Sequence, residues 1–315
     1  KSENMAPKYS IVIPTYKRSK LLKQNIESLL KQTKQDDFEI VIVDDEAVWD
    51  KETETEKMVK GYFDHRIYYY RNKQNLGMVG NWNRCIELSR GKYVTILHDD
   101  DWLEPEYLNM CEKRINGDKA LYFRTRWVDL RDVRVIDNRN KINHALKKLV
   151  HLITPSKYNL TAFSCFMTVL STNGVLYKRD NLFELGGFNE MDYPGGDYIF
   201  NSRYILKYGG IYHKACLSNY RIEENESLEV AKLFPELIYE VRKELIKYTK
   251  YNKMLLHKMA ELFYDYDVRG IKIQWEANIE NDLLKNKIDR NKFSYRINMK
   301  LLKIYVLIYK IYYLL

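Results

Sequence analysis

Short β-branched runs alternate with amphipathic stretches through the first hundred residues. Ser10–Pro14 predicts a strand, closed by Pro14-Thr15-Tyr16. Leu21, Leu22, Ile26, Leu29 and Leu30 then recur at helical spacing through Gln32. Phe38–Val43 is an apolar run interrupted by Glu39 alone that stops at Asp44-Asp45, the pattern of a strand buried on both faces. A charged helix is expected over 51–62, a strand over 67–71, a helix near 78–89 that stops at Gly91, and a strand over 92–98 that runs into Asp99-Asp100-Asp101. Strands alternating with helices of this length predict a parallel α/β sheet with right-handed crossovers.

The middle of the chain is mixed. Residues 120–130 and 161–170 read as strands, whereas 131–160 is polar and basic without a clear period, as in a loop over a site. After Tyr220-Arg221 the composition changes: from residue 229 onward Gly270 is the one glycine and Pro235, near an expected helix start, the one proline. A helical appendage is expected there, with breaks near Asn252, Arg269 and Asn291. The division placed on this change is residues 1–222, with a first part over 9–105 and a second over 106–222, followed by a helical region over 223–315.

Charge sharpens the division. The chain has 315 residues, 52 Lys and Arg against 43 Asp and Glu, and a net charge of +9. Eight of the cations (Lys285, Lys287, Arg290, Lys292, Arg296, Lys300, Lys303, Lys310) and a single acid, Asp289, lie within 285–315, so this stretch carries +7 and the first 284 residues only +2. A nucleic-acid partner, which bulk charge alone would suggest, is disfavoured by that distribution. Residues 293–315 would make a helix apolar almost all round. It would pack on its own domain, meet a second subunit in a homo-oligomer, or lie on a membrane surface with its lysines at the headgroups.

Cys85, Cys111, Cys165 and Cys216 show neither a C-x-x-C pair nor metal-ligand spacing and suit a reducing, cytoplasmic compartment. The first residues contain no apolar signal core, and no stretch reaches the roughly 18 apolar residues of a spanning helix. The expected localisation is cytoplasmic, peripheral on the inner face of the membrane if the tail binds lipid.

The polar residues of interest stand where strands end: Thr15 and Tyr16, Asp44 and Asp45, and Asp99 to Asp101. In open α/β sheets that edge is where ligands bind. An aspartate after a strand also serves as a turn former or helix cap. Three consecutive carboxylates repel one another unless a cation or donors offset them. A hard ion such as Mg2+ or Mn2+ takes one or two carboxylates and completes its shell with substrate phosphates, so the cluster suits a metal–diphosphate complex as well as it suits a solvated acidic turn.

Several segments together resemble the family 2 glycosyltransferases. Ser10 to Arg18 (S-I-V-I-P-T-Y-K-R) is similar to the family's opening and Glu39 to Asp45 (E-I-V-I-V-D-D) to its second strand. Asn75-Leu76-Gly77, Asn83 and Gly91-Lys92-Tyr93 continue the pattern, and Leu97–Pro105 resembles its D-x-D segment. Gly186-Gly187-Phe188-Asn189-Glu190, Gly196-Asp197 and Arg203 resemble its acceptor side. The order holds over about residues 9–208; the helical region lies outside it.

The resemblance implies a GT-A fold, a Rossmann-like mixed sheet flanked by helices, here with an all-helical C-terminal appendage. It also implies a UDP-sugar donor, a glycan acceptor, a divalent cofactor (Mn2+ or Mg2+) and transfer with inversion. Carried over residue by residue, Pro14, Thr15 and Tyr16 would frame the base and Asp45, with Asp44 beside it, would contact the uracil. Asn83 and Arg84 would lie near the nucleotide and Asp99 near the ribose, Asp100 and Asp101 would serve the metal, and Asp197 would be the catalytic base. A carboxylate accepts the uracil N–H and a tyrosine ring offers a stacking face.

The chain departs from the pattern at His98, where an aspartate is usual, at Glu46-Ala47 for Gly-Ser, at Trp82 for Arg and at Gly196 for Glu. Glu223 and Glu224 stand near the place of a usual histidine. The altered D-x-D leaves a second class of function open, a non-catalytic scaffold of the same fold that assembles or anchors a partner enzyme. His98 is expected to be structural.

Overall fold

The structure, a computed structural model, describes residues 6–130, 157–158, 171–223, 229–249, 253–274, 297 and 300. The chain divides into two compact units, Lys1–Leu130 with Ser171–Ile222, and Arg131–Leu170 with Glu223–Leu315.

The first unit begins β1 (Tyr9–Thr15), α1 (Ser19–Leu30), β2 (Phe38–Asp44), α2 (Glu54–Lys60), β3 (Ile67–Arg71), α3 (Gly77–Leu88) and β4 (Tyr93–Ile96). It continues with β5 (Trp102–Leu103), α4 (Tyr107–Arg114) and β6 (Ala120–Asp129). The two-residue β7 (Lys157–Tyr158) falls in the second unit. The first unit then closes with β8 (Leu176–Lys178), α5 (Arg179–Glu184), α6 (Gly196–Tyr208) and β9 (Gly210–Ile222). Its strands lie in the order β3-β2-β1-β4-β8-β6-β9-β5.

The predicted half of the sheet is parallel. Tyr9↔Phe38 through Thr15↔Asp44 pair β1 with β2, Tyr9↔Tyr93 through Val12↔Ile96 pair it with β4, and β2 pairs β3 in the same sense. Every residue of β1 and β2 is buried, which explains their largely apolar sequences. On one face Leu22, Ile26 and Leu29 of α1 join Tyr9, Ile11, Ile13 and Ile40 in the main core. Each such side chain contributes about 1.5–3 kcal/mol on burial.

Beyond β4 the sheet becomes mixed. β8 runs antiparallel to β4 and β6, β5 antiparallel to β9, and β6 parallel to β9. The ladder between β6 and β9 is broken twice: Phe123 faces His213, Arg124 faces Cys216 and Thr125 faces Ser218, so β9 spends three extra residues there. Neither β8 nor β9 is visible as a period in the sequence. β9 carries polar and apolar residues on both faces (Gly210 to Ile222), because one end packs in the core and the other lines the polar edge described below.

In the second unit α7 (Phe234–Ile246) and α8 (Lys253–Gln274) pack through Ile246, Leu256, Met259, Ala260 and Phe263. Arg242 Nη1 lies 2.6 Å from Asp267 Oδ2, and both side chains are fully buried. Pro235 does stand in the first turn of α7. The break expected near Arg269 is absent: α8 runs through it and Gly270, since one glycine costs a helix only about 1 kcal/mol. The strand expected at 161–170, most of the polar stretch 131–160, the breaks near Asn252 and Asn291 and the basic tail, apart from Ile297 and Lys300, lie outside the described residues. Among the described residues no helix is long and apolar enough to cross a membrane.

Candidate active site

Because β1, β2 and β4 are parallel and in register, their carboxyl ends share one edge. Two hydrogen bonds stitch that edge together. The Asp45 N–H donates to the Thr15 carbonyl (2.9 Å), and Thr15 Oγ1 donates to Asp99 Oδ2 (2.8 Å). Pro14 lies opposite Val43 in the ladder, and Thr15, opposite Asp44, closes β1. Tyr16 follows with 48% of its surface exposed and Lys17 Nζ 5.1 Å from its ring centre.

Asp44 and Asp45 are buried and fully engaged. Asp44 accepts from Tyr69 Oη (2.8 Å), the Glu46 N–H (3.0 Å) and, at 3.4 Å, Thr53 Oγ1; burial nonetheless pushes its carboxyl up. Asp45 accepts from Asn72 Nδ2 and from the Leu76 N–H, each at 2.8 Å to Oδ1. It thereby fixes the Asn75-Leu76-Gly77 turn, where Gly77, with a φ of 72°, opens α3.

The acidic turn lies beside them. Asn25 of α1 donates to the His98 carbonyl (2.7 Å) and the Asp101 N–H closes onto the same carbonyl (3.1 Å). Asp99, Asp100 and Asp101 are 6%, 7% and 1% exposed. Burial, with the charge of Asp100, pushes Asp99 up to about 6 and Asp101 well above the usual carboxylate range. Two arginines answer this charge. Arg18 Nη1 sits 3.0 Å from Asp100 Oδ2 and 3.4 Å from Asp99 Oδ1. Arg221, from β9, donates its Nε to the Asp100 carbonyl (2.9 Å) and its main-chain N–H to Asp101 Oδ1 (2.9 Å).

His98 is both structural and part of the cluster. Its ring stacks on Trp82 (5.6 Å between centres, 11° between planes) and Nε2 lies 3.2 Å from Thr172 Oγ1. Nδ1 faces Asp101 Oδ2 at 3.7 Å, and burial holds the imidazole below its ordinary range, hence neutral at pH 7. One ligand atom each from His98, Asp100 and Asp101 lies within 4.8 Å of the others, and Asp101 Oδ2 is buried with no hydrogen-bond partner. An orphaned carboxylate oxygen beside a neutral imidazole and a second carboxylate is a donor set that fits a divalent ion such as Mn2+ or Mg2+.

The remaining sequence-derived residues lie in other local settings. Asn83 spends both ends of its amide on the main chain of Phe188. Arg84 pairs with Glu87 on an exposed helix face. Asp197 occupies the first turn of α6, accepting the Tyr198 N–H at 2.7 Å, and burial raises it to about 6. Behind it, Asn201 donates to the Asp197 carbonyl (2.8 Å) and accepts from the buried hydroxyls of Tyr122 and Tyr177. Among the described hydrogen bonds none joins Asp197 directly to the acidic turn.

Sequence reasoning missed the two arginines as site residues. Arg18 stood inside the opening motif without a role, and Arg221, some 120 residues from the turn it clasps, gave no local signal at all.

The sequence and the fold have counterparts in known proteins. The profile described as Glycosyl transferase family 2 matches residues 10–173, just over half of the chain. An uncharacterized glycosyltransferase of Methanocaldococcus jannaschii is 32% identical over 125 residues, 39% of this chain and 42% of that protein. The chain spans less than half the length of the first curated relatives it matches. Among solved structures, S. aureus TarS 1-349 in complex with UDP-GlcNAc superposes with a TM-score of 0.58 at 17% identity, over 94% of this chain and 79% of that one. The mannosyltransferase PcManGT of Pyrobaculum calidifontis, in complex with GDP-Man and Mn2+, gives 0.58 at 15%, over 98% and 88%. These likenesses agree with the mixed sheet and its flanking helices in a GT-A fold. With the matched profile covering the strand-end residues described above, the chain belongs to glycosyl transferase family 2.

Proposed function

We propose that this chain is a metal-dependent, inverting glycosyltransferase that moves a sugar from a UDP-sugar to a hydroxyl of a glycan acceptor. The observation that carries the reading is the junction of three strand ends at one edge, where Thr15 bridges the Asp45 main chain to the Asp99 carboxylate beside a buried donor set for a cation. Solved neighbours of the same fold hold UDP-GlcNAc or GDP-Man with Mn2+, which supports a nucleotide-sugar donor and a divalent ion.

In this reading Tyr16 and the Asp44–Asp45 corner frame the uracil and Asp99 receives the ribose. Asp100 and Asp101, with His98 as a third donor, would hold Mn2+ or Mg2+, which when bound would offset the charge of the departing diphosphate. Asp197 takes the proton of the acceptor hydroxyl as its oxygen bonds to the anomeric carbon. The bond to the diphosphate breaks on the opposite face and UDP leaves with the electron pair. A raised carboxyl suits this task, being close to the working pH while still largely ionised. One displacement inverts the configuration without a covalent intermediate.

Residues 1–222 would carry the transfer. The stretch 285–315, with its charge of +7, would attach the enzyme to an anionic membrane surface or to a second copy. The test is a panel of UDP-sugars with Mn2+, scored by UDP release with and without glycan acceptors. Binding of UDP that ignores Mn2+, with no turnover of any donor, would instead identify a scaffold.

A further inference from the structure

Arg18 reaches the acidic turn by a particular backbone route. Lys17, just before it, adopts the left-handed conformation (φ 56°), and Arg18 itself caps α1, its carbonyl accepting the Leu22 N–H at 3.0 Å. The side chain turns back across the strand end to the two carboxylates. Its partners are buried, with side chains 9% and 8% exposed, while the Arg18 side chain is 37% exposed.

The oxygens that Arg18 holds belong to the residues that would meet the ribose and the metal. A guanidinium and a divalent ion placed on the same carboxylate repel one another and compete for the same lone pairs.

We propose that Arg18 is a placeholder cation: it neutralises Asp99 and Asp100 until the divalent ion binds, and is then released toward the donor's diphosphate. The inference rests on the metal-dependent reading above. Once displaced, the guanidinium would be a fork beside a dianionic group, and arginine holds phosphate oxygens in pairs. Arg18 is thus a positioning residue for the carboxylates before loading and a binding residue for the nucleotide afterwards.

The test uses the whole chain and counts free Mn2+ by electron paramagnetic resonance, with and without UDP, in the wild type, Arg18→Gln and Arg18→Lys. Arg18→Gln should bind Mn2+ alone about tenfold more tightly, because a fixed unit charge close to the ion is gone. With Mn2+ saturating, its affinity for UDP should fall about tenfold through loss of the phosphate contact. Its melting temperature should drop in EDTA and recover in Mn2+. Arg18→Lys keeps the charge, so its Mn2+ affinity should match the wild type while its UDP affinity falls between the other two.

Equal Mn2+ affinity in wild type and Arg18→Gln overturns the placeholder role and leaves the metal site standing. Failure of the wild type to bind Mn2+, alone or with UDP, removes the metal-dependent reading itself. Should Arg18→Gln not fold, wild-type UDP affinity in Arg18→Lys would still overturn the diphosphate contact.

Discussion

Asn83 grips the main chain of Phe188 with both ends of its amide: Nδ2 donates to the Phe188 carbonyl at 2.9 Å and Oδ1 accepts the Phe188 N–H at 2.8 Å. The grip requires glycine next door. Gly187 takes a φ of 68°, and a Cβ there would overlap Asn83 Oδ1. Gly187→Ala should therefore cost about 2–4 kcal/mol, from backbone strain and the lost amide pair together. Asn83→Ala should cost about 2 kcal/mol by stranding two main-chain groups. Urea denaturation of both variants measures this; a cost below 0.5 kcal/mol in each would remove the clasp (about the size of a neutral surface change).

Asp197→Asn should reduce transfer by roughly 10²–10⁴-fold, the contribution of a positioned general base. UDP binding should hold within about twofold, since no described contact links Asp197 to the acidic turn. In the wild type, kcat/KM should rise with pH through about 6 as the carboxylate ionises. Near-normal turnover by Asp197→Asn, measured by UDP release, would remove Asp197 as the base.

The same residue should carry a stability cost. Burial raises Asp197 from 3.8 to about 6, so the folded state holds this proton more tightly than the unfolded chain does. Its contribution is full below pH 4 and is lost as pH rises through 6. Asp197→Asn, which keeps the shape, should then stabilise the protein at pH 7.5 by about 1–2 kcal/mol and hardly at all at pH 4. Denaturation at the two pH values decides it; a gain equal at both would mean the charge is not the cause.

Mn2+ should raise the melting temperature by a few degrees, roughly 2–4 °C per kcal/mol of linkage in a domain of this size. The shift should be larger at pH 7.5 than at pH 5.5, because protons held by Asp99 and Asp101 must leave before the ion binds. Scanning fluorimetry against a Mn2+ series measures both, and a shift independent of pH would place the ion elsewhere.

In the second unit, Arg242→Met should destabilise α7 and α8 by about 3 kcal/mol by leaving Asp267 charged and buried. The double variant Arg242→Met with Asp267→Leu should recover most of that loss, because an apolar pair needs no compensation. Thermal melts of the single and double variants test the coupling; additive losses would deny it.

The parallel half of the sheet was legible because burial on both faces writes itself into the sequence as unbroken apolar runs, as in Ile40 to Val43. The acidic turn was legible because three adjacent carboxylates stand at a strand end within the segment that resembles the family's D-x-D. What escaped were relations set by tertiary contact. β9 mixes Lys214 and Asn219 with Leu217 and Tyr220 and has no period to read. The stack of His98 on Trp82 and the clasp of Arg221 on Asp101 join residues that no local pattern connects. Asn83 stood in a motif, but its work on Phe188 depends on a chain segment 105 residues away.

The interrupted ladder between β6 and β9 acts as a vernier on the acidic turn. The three residues that β9 spends opposite Phe123 to Thr125 shift everything after them, so that Arg221 rather than Ser218 comes level with Val128 and meets Asp101. Were those three residues drawn into the ladder instead, β9 could still pair along its whole length. Ser218 would then stand level with Val128 and no guanidinium would reach the Asp100 carbonyl from that position, so the loss would be felt in the chemistry at the edge rather than in the sheet.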